Sequence, residues 1–147
     1  MASIVVTVDR TYPATVEDTF AALADYAGVR PRILPPQMSD FAVLDGGTGA
    51  GTRFTYRLQA TEKRVRHVTA DVTAPEAGRL VETDSASSLR VQWDVAPAGE
   101  GARASVRVTW DGASGIGGFF ERRFAPAGIR RIYGDELDRL GAVLAGH

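Results

Sequence analysis

The chain has 147 residues, 44% of them apolar and 24% charged, with no cysteine and a net charge of −1 at pH 7. This is a globular composition of one-domain size, and it excludes disulfides, thiolate metal sites and the overall basicity of a nucleic-acid binder. No apolar stretch is long enough to span a bilayer and the first ten residues lack the order of a secretion signal, so a cytoplasmic protein without membrane insertion is expected.

Ile4, Val6 and Val8 alternate with Val5, Thr7 and Asp9, which predicts a strand ending at Pro13. Thr15 stands as an N-cap with Asp18 three residues on, and Val16, Phe20, Leu23 and Ala24 follow at helical spacing. Pro31, Pro35 and Pro36 then allow one further short helical turn before extended chain. From Ser39 onward the period becomes two, in six segments: Phe41 and Val43; Phe54, Tyr56 and Leu58; Val68, Ala70 and Val72; Leu80 with Val81; Leu89, Val91, Trp93 and Val95; Ala104, Val106, Val108 and Trp110. The positions between them in the long segments are polar, so one face of an antiparallel sheet is dry and the other wet.

Gly46, Gly47, Gly49 and Gly51 lead into the strand beginning at Thr52 rather than into a helix, so they read as a hairpin turn and not as a phosphate loop. Ala98 with Gly99, and the run Gly112 to Gly118, also read as turns. Ile129, Ile132, Tyr133, Leu137, Leu140, Val143 and Leu144 recur at three and four residues and predict a long C-terminal amphipathic helix. Phe119, Phe120 and Phe124 do not continue that stripe, and a break or kink is expected at Pro126 between the two registers.

The order strand, short helix, six-stranded meander and long helix resembles the START/Bet v 1-like (SRPBCC) superfamily, especially its polyketide cyclase/dehydrase branch. The resemblance is carried by Val6 to Phe20 as the opening strand and helix entry, by Gly49 and Gly51 before Arg53 and Phe54, by Ala74 and Pro75 through Arg79 and Leu80, and by Gly101 to Val106. These are fold markers, not catalytic motifs. They imply an α+β helix-grip fold over residues 1–147 as one domain. A curved seven-stranded antiparallel sheet wraps around the C-terminal helix, with one or two short helices after the first strand. The resemblance also implies a deep cavity between sheet and helix that binds lipids, sterols, hormones or polyketide intermediates, and an apolar lining with few polar groups suits that role.

Phase nominates the lining: Phe54, Tyr56, Trp93, Val95, Val106, Val108 and Trp110 from the sheet, with Tyr12 at the end of the first strand and Ile129, Ile132, Tyr133 and Leu137 from the helix. Any one of these is more often plain core than ligand contact. Glu136 falls in the middle of the helical stripe, where an unpaired carboxylate is costly. Arg10, in phase with Val6 and Val8, is its expected partner; alternatively the helix bends after Pro126 and Glu136 reaches solvent at the cavity mouth. His67, the one internal histidine, alternates outward from Val68 and is expected at the surface. No nucleophile triad, paired metal ligands or cofactor motif can be assembled, so neither metal nor cofactor is expected. Arg53, Arg57, Arg66, Arg90, Arg103 and Arg107 are placed on the wet face opposite Glu62, Glu82, Asp84 and Asp94, as cross-strand ion pairs or a basic surface.

Three functions stay open. The first is a carrier or sensor for a hydrophobic or aromatic small molecule. The second is an aromatase/cyclase-like enzyme, implied by the resemblance, with Arg10, Tyr12, Tyr56, Tyr133 and Glu136 as candidates for orienting a poly-β-ketone. The third is an interaction module acting through the outer sheet surface. Oligomeric state is not legible.

Overall fold

The computed structural model describes residues 3–61, 64–111 and 125–146. The elements run β1 (Ser3–Tyr12), α1 (Val16–Ala24), a 3-10 turn (Arg30–Arg32), β2 (Met38–Asp45), β3 (Arg53–Thr61), β4 (Arg64–Thr73), β5 (Arg79–Asp84), β6 (Arg90–Ala98), β7 (Gly101–Asp111) and α2 (Ala125–Ala145). All seven strands form one antiparallel sheet in the order β1-β7-β6-β5-β4-β3-β2. Every neighbour but one is joined by a hairpin or short loop; β1 reaches its place beside β7 because the helices intervene before β2. This is the expected helix-grip arrangement. The expected turn at Gly112 to Gly118, the register of Phe119, Phe120 and Phe124, and Glu62 lie outside the described residues.

The local reasons match the sequence pattern. The Thr15 Oγ1 accepts a hydrogen bond from the Asp18 N–H at 3.0 Å, which satisfies a donor that the first turn of α1 leaves open. Val6, Val8, Phe54, Leu58, Val68, Val72, Leu80, Val91, Val106 and Val108 fill the concave face, each at most 9% exposed. Pro126 sits in the first turn of α2, where its missing N–H costs nothing; the expected break or kink depends on the register before it, which lies outside the described residues.

α2 packs chiefly along β1. Two glycines of α2 make that approach close. A Cβ on Gly134 would meet the Arg10 guanidinium at 3.1 Å, and one on Gly141 would meet the Tyr12 ring at 3.0 Å. Tyr12 is pinned there because its hydroxyl donates to the Leu137 carbonyl at 2.7 Å.

The outer face carries cross-strand ion pairs, but with partners outside the expected set: Arg53 meets Asp71 at 3.7 Å, and Asp94 meets Arg79 at 2.7 Å. His67 is exposed, as expected. Three residues assigned to the wet face are not on it. Glu82 lies across from Val72 and Val91, and Asp84 across from Ala70, all of which point inward, and both carboxylates are 4% exposed. Arg66 lies across from Leu58 and in phase with Val68, and its Nε is 3.7 Å from Asp84. Two adjacent apolar residues, Leu80 and Val81, had hidden the phase of β5; both are buried.

Candidate functional site

α1 ends at Ala24, and the chain then turns so that Arg30 is carried under the sheet rather than out to solvent. The N–H groups of Val29 and Arg30 donate to the Asp25 carbonyl at 3.1 and 3.0 Å, and Pro31 fixes the 3-10 turn that follows. Arg30 is 4% exposed. Its guanidinium lies over two rings, with Cζ 4.6 Å from the centroid of Tyr26 and 4.8 Å from that of Trp93. In the guanidinium plane Nη1 donates to the Leu23 carbonyl at 3.0 Å, and Nη2 meets Glu82 Oε2 at 3.0 Å. The Tyr26 hydroxyl donates to the same Glu82 oxygen at 2.7 Å.

Glu136 approaches from α2. It is 1% exposed, with Oε2 3.8 Å from Arg30 Nη2, and its Oε1 has no hydrogen-bond partner among the described residues. The buried cation nearest this carboxylate is Arg30, and not Arg10 as expected. Arg10 instead donates through Nε to Asp138 at 2.9 Å on the surface, its side chain 40% exposed. The alternative in which Glu136 reaches solvent does not hold either.

Burial sets the protonation of the cluster. It pushes the Glu136 carboxyl up to about 7; Arg30 opposes the rise, while Glu82 and Asp135 add to it. Burial alone would lower Arg30, but Glu82, Tyr26 and Glu136 overcome it and hold the guanidinium charged. The hydroxyls of Tyr26, Tyr56 and Tyr133 are pushed up by burial first, and next by Glu82 for Tyr26 and Tyr56 and by Tyr56 for Tyr133, so all three remain neutral. Tyr56 and Tyr133 are hydrogen-bonded to each other across the gap between β3 and α2.

These groups form one wall of an inner cavity, lined on its polar side by Arg30, Glu82, Glu136, Tyr56 and Tyr133 and on its apolar side by Leu34, Met38, Phe41 and Phe54. The cavity holds about 10 Å³, near the room one water needs. Among the described residues, the space at this wall is that small. Aromatic rings occupy it: Tyr26 stacks on Phe54 at 5.0 Å, and Phe41 and Tyr56 flank Phe54 at 5.3 and 5.9 Å.

Of the residues nominated from phase, Phe54, Tyr56, Tyr133 and Glu136 line this cavity, and Trp93 contributes its ring to Arg30. Val106, Val108, Trp110 and Val95 from the sheet are buried core beside it, as are Ile129, Ile132 and Leu137 from α2. Tyr12 borders a separate shallow recess with Pro13, Ala14, Gly141 and Leu144. Phase missed Arg30, Tyr26 and Glu82. Glu82 was within reach of strand alternation, since it shares phase with Leu80; Arg30 and Tyr26 lie in the connection after α1, where no periodicity applies.

Residues 3–145 match the family model for polyketide cyclase/dehydrase and lipid transport. The chain belongs to this family. Among solved structures, this polyketide cyclase/dehydrase family chain is similar to the KanY protein, at 42% identity over 99% of each chain with a TM-score of 0.89. It shares its fold with TTHA0849 from Thermus thermophilus, at 17% identity over 97% of this chain and 98% of that one with a TM-score of 0.76. The Bet v 1-like protein Ara h 8.0201 is also similar in fold, at 12% identity over 99% and 100% of the two chains with a TM-score of 0.68. No curated protein matches.

Proposed function

We propose that this protein binds a hydrophobic or aromatic small molecule between the sheet and α2, as a carrier or sensor, with the polar end of the ligand at Glu136, Tyr133 and Tyr56. One observation carries the reading. A cavity with apolar rings on one side ends at a buried carboxyl group whose Oε1 has no protein partner among the described residues. Buried polar atoms are nearly always paired, so one left open toward a cavity favours a ligand there. Family membership supports a ligand-binding or polyketide-related role at this coarser level.

The resting cavity is too small for such a ligand, so entry displaces side chains. Leu34 and Phe41, both half-buried and on the stretch that ends in the β2 bulge between Ser39 and Ala42, are the ones to move. Native mass spectrometry of protein purified from its own host tests the reading: a retained apolar small molecule is the expected result. A bare chain that is also not stabilised thermally by any member of a panel of aromatic and lipid compounds would remove it.

A second reading, polyketide cyclase/dehydrase-type catalysis, is favoured by the Glu136 carboxyl standing near 7. A group that titrates close to neutrality can both give and take a proton, and the neutral hydroxyls of Tyr56 and Tyr133 can hydrogen-bond a developing enolate oxygen. Turnover of a poly-β-ketone mimic, lost in Glu136→Gln, separates this reading from simple carriage.

A further inference from the structure

The polar wall of the cavity holds one cation and two carboxylates, and the cation is already committed. The Arg30 guanidinium lies over the rings of Tyr26 and Trp93, Nη1 is taken by the Leu23 carbonyl, and Nη2 is within reach of both Glu82 and Glu136. Only Nε has no acceptor among the described residues. Among the described residues no other that lines the cavity is basic. A ligand carboxylate entering here would be a third anion around one cation, in surroundings too dry to screen it. An uncharged oxygen meets the opposite situation, since the wall offers it the Tyr56 hydroxyl, whose proton is free because Tyr133 donates to its oxygen, and a carboxyl that can donate.

We infer that the cavity selects ligands whose polar end is a neutral oxygen acceptor, a ketone or quinone-type carbonyl placed against Glu136 Oε1 and the Tyr56 hydroxyl, and that it rejects free carboxylates such as fatty acids. The inference rests on the proposed binding function and names its ligand class. Donation by Glu136 requires its proton. The groups that face it are Arg30 from the 3-10 turn, Glu82 from β5, Tyr56 from β3, Tyr12 from β1 and, on α2 itself, Tyr133 and Asp135. Of these only Arg30 favours the ionised form; Glu82, Asp135 and burial favour the acid. Carbonyl binding is therefore full below about pH 7 and weakens above it, while an ammonium ligand shows the reverse.

Three probes with one ring system separate the possibilities: 2-acetylnaphthalene, 2-naphthoate and 2-naphthylmethylammonium, each titrated by calorimetry into the whole chain at about pH 6 and about pH 8. The ketone is expected to bind tightest at the lower pH and to weaken about tenfold at the higher, because only the acid form of Glu136 is competent. The naphthoate is expected to bind at least about tenfold more weakly than the ketone at the lower pH. The ammonium probe gains as the ketone loses. Glu136→Gln keeps a donor without titrating, so its ketone affinity stays flat across the same range. Tightest binding by the carboxylate, or the same pH trend in Glu136→Gln as in the wild type, overturns the inference and leaves the binding function standing. If none of the three probes binds, the binding function falls and the inference with it. The wild-type ranking and pH trend decide the matter even if the variant does not fold.

Discussion

Arg30 and Glu82 form an ion pair at 3.0 Å in which each side chain is only 5% exposed. Two charges taken that far from water are tolerable only when each also has other partners, and both do: the Leu23 carbonyl and two aromatic rings for Arg30, the Tyr26 hydroxyl for Glu82. Arg30→Met removes the cation and strands Glu82 beside Glu136. Urea unfolding is expected to show a loss of roughly 3–5 kcal/mol. The double variant Arg30→Met, Glu82→Leu is expected to recover part of that where Glu136, now without its cation, stays protonated, although the Tyr26 hydroxyl loses its acceptor. A single variant as stable as the wild type would mean that the pair is not buried in solution.

Glu136 ties stability to pH. Its folded value, about 7, lies above the 4.5 of an unperturbed carboxyl, so the folded state holds the proton more tightly than the unfolded one. The stabilisation is full below about pH 4.5 and is lost as pH rises through 7, with roughly 3 kcal/mol at stake over the whole window. Glu136→Gln is expected to flatten this part of the profile in urea melts recorded across that range.

At Gly141 two effects oppose each other. Alanine gains about 1 kcal/mol of helix propensity over glycine. Its Cβ, however, would stand 3.0 Å from a Tyr12 ring that the hydroxyl bond to Leu137 keeps from yielding. Overpacking of this kind costs about 1–3 kcal/mol, so Gly141→Ala is expected to lower stability in a denaturant melt. In a Tyr12→Phe background the ring is free to shift, and the cost of the same substitution shrinks.

Thr15→Ala tests the entry to α1. The variant loses the side-chain acceptor that caps the first turn and is expected to cost about 1 kcal/mol by thermal or denaturant melting.

The fold was legible in the sequence because its signals are periodic and local. Alternation in the long strands, the Thr15 cap and the stripe from Ile129 to Leu144 each report one element, and the family resemblance of their order supplied the architecture. The site was legible only where it shares those periods. Glu136 stood out as a charge on an apolar stripe, and Phe54, Tyr56 and Tyr133 followed from phase. Arg30 could not be found in this way: what buries it is the turn after α1 and two rings from distant segments. Its identity as the partner of Glu136 depends on three-dimensional closure, and Arg10 was the better candidate only in one dimension. Cavity size was equally out of reach, because alternation says which rings point inward but not that Tyr26, Phe41, Phe54 and Tyr56 stack into the gap.

Protonation of Glu136 inside the helix-grip is the point on which binding, selectivity and pH response all turn. Carbon-detected NMR of protein labelled in its glutamate carboxyl groups, with the Glu136 signal assigned by its loss in Glu136→Gln, measures it directly. A titration midpoint near 7 that rises further when 2-acetylnaphthalene is added is the predicted result. A midpoint near 4.5, unmoved by the ketone, would place this carboxyl in water and contradict the account.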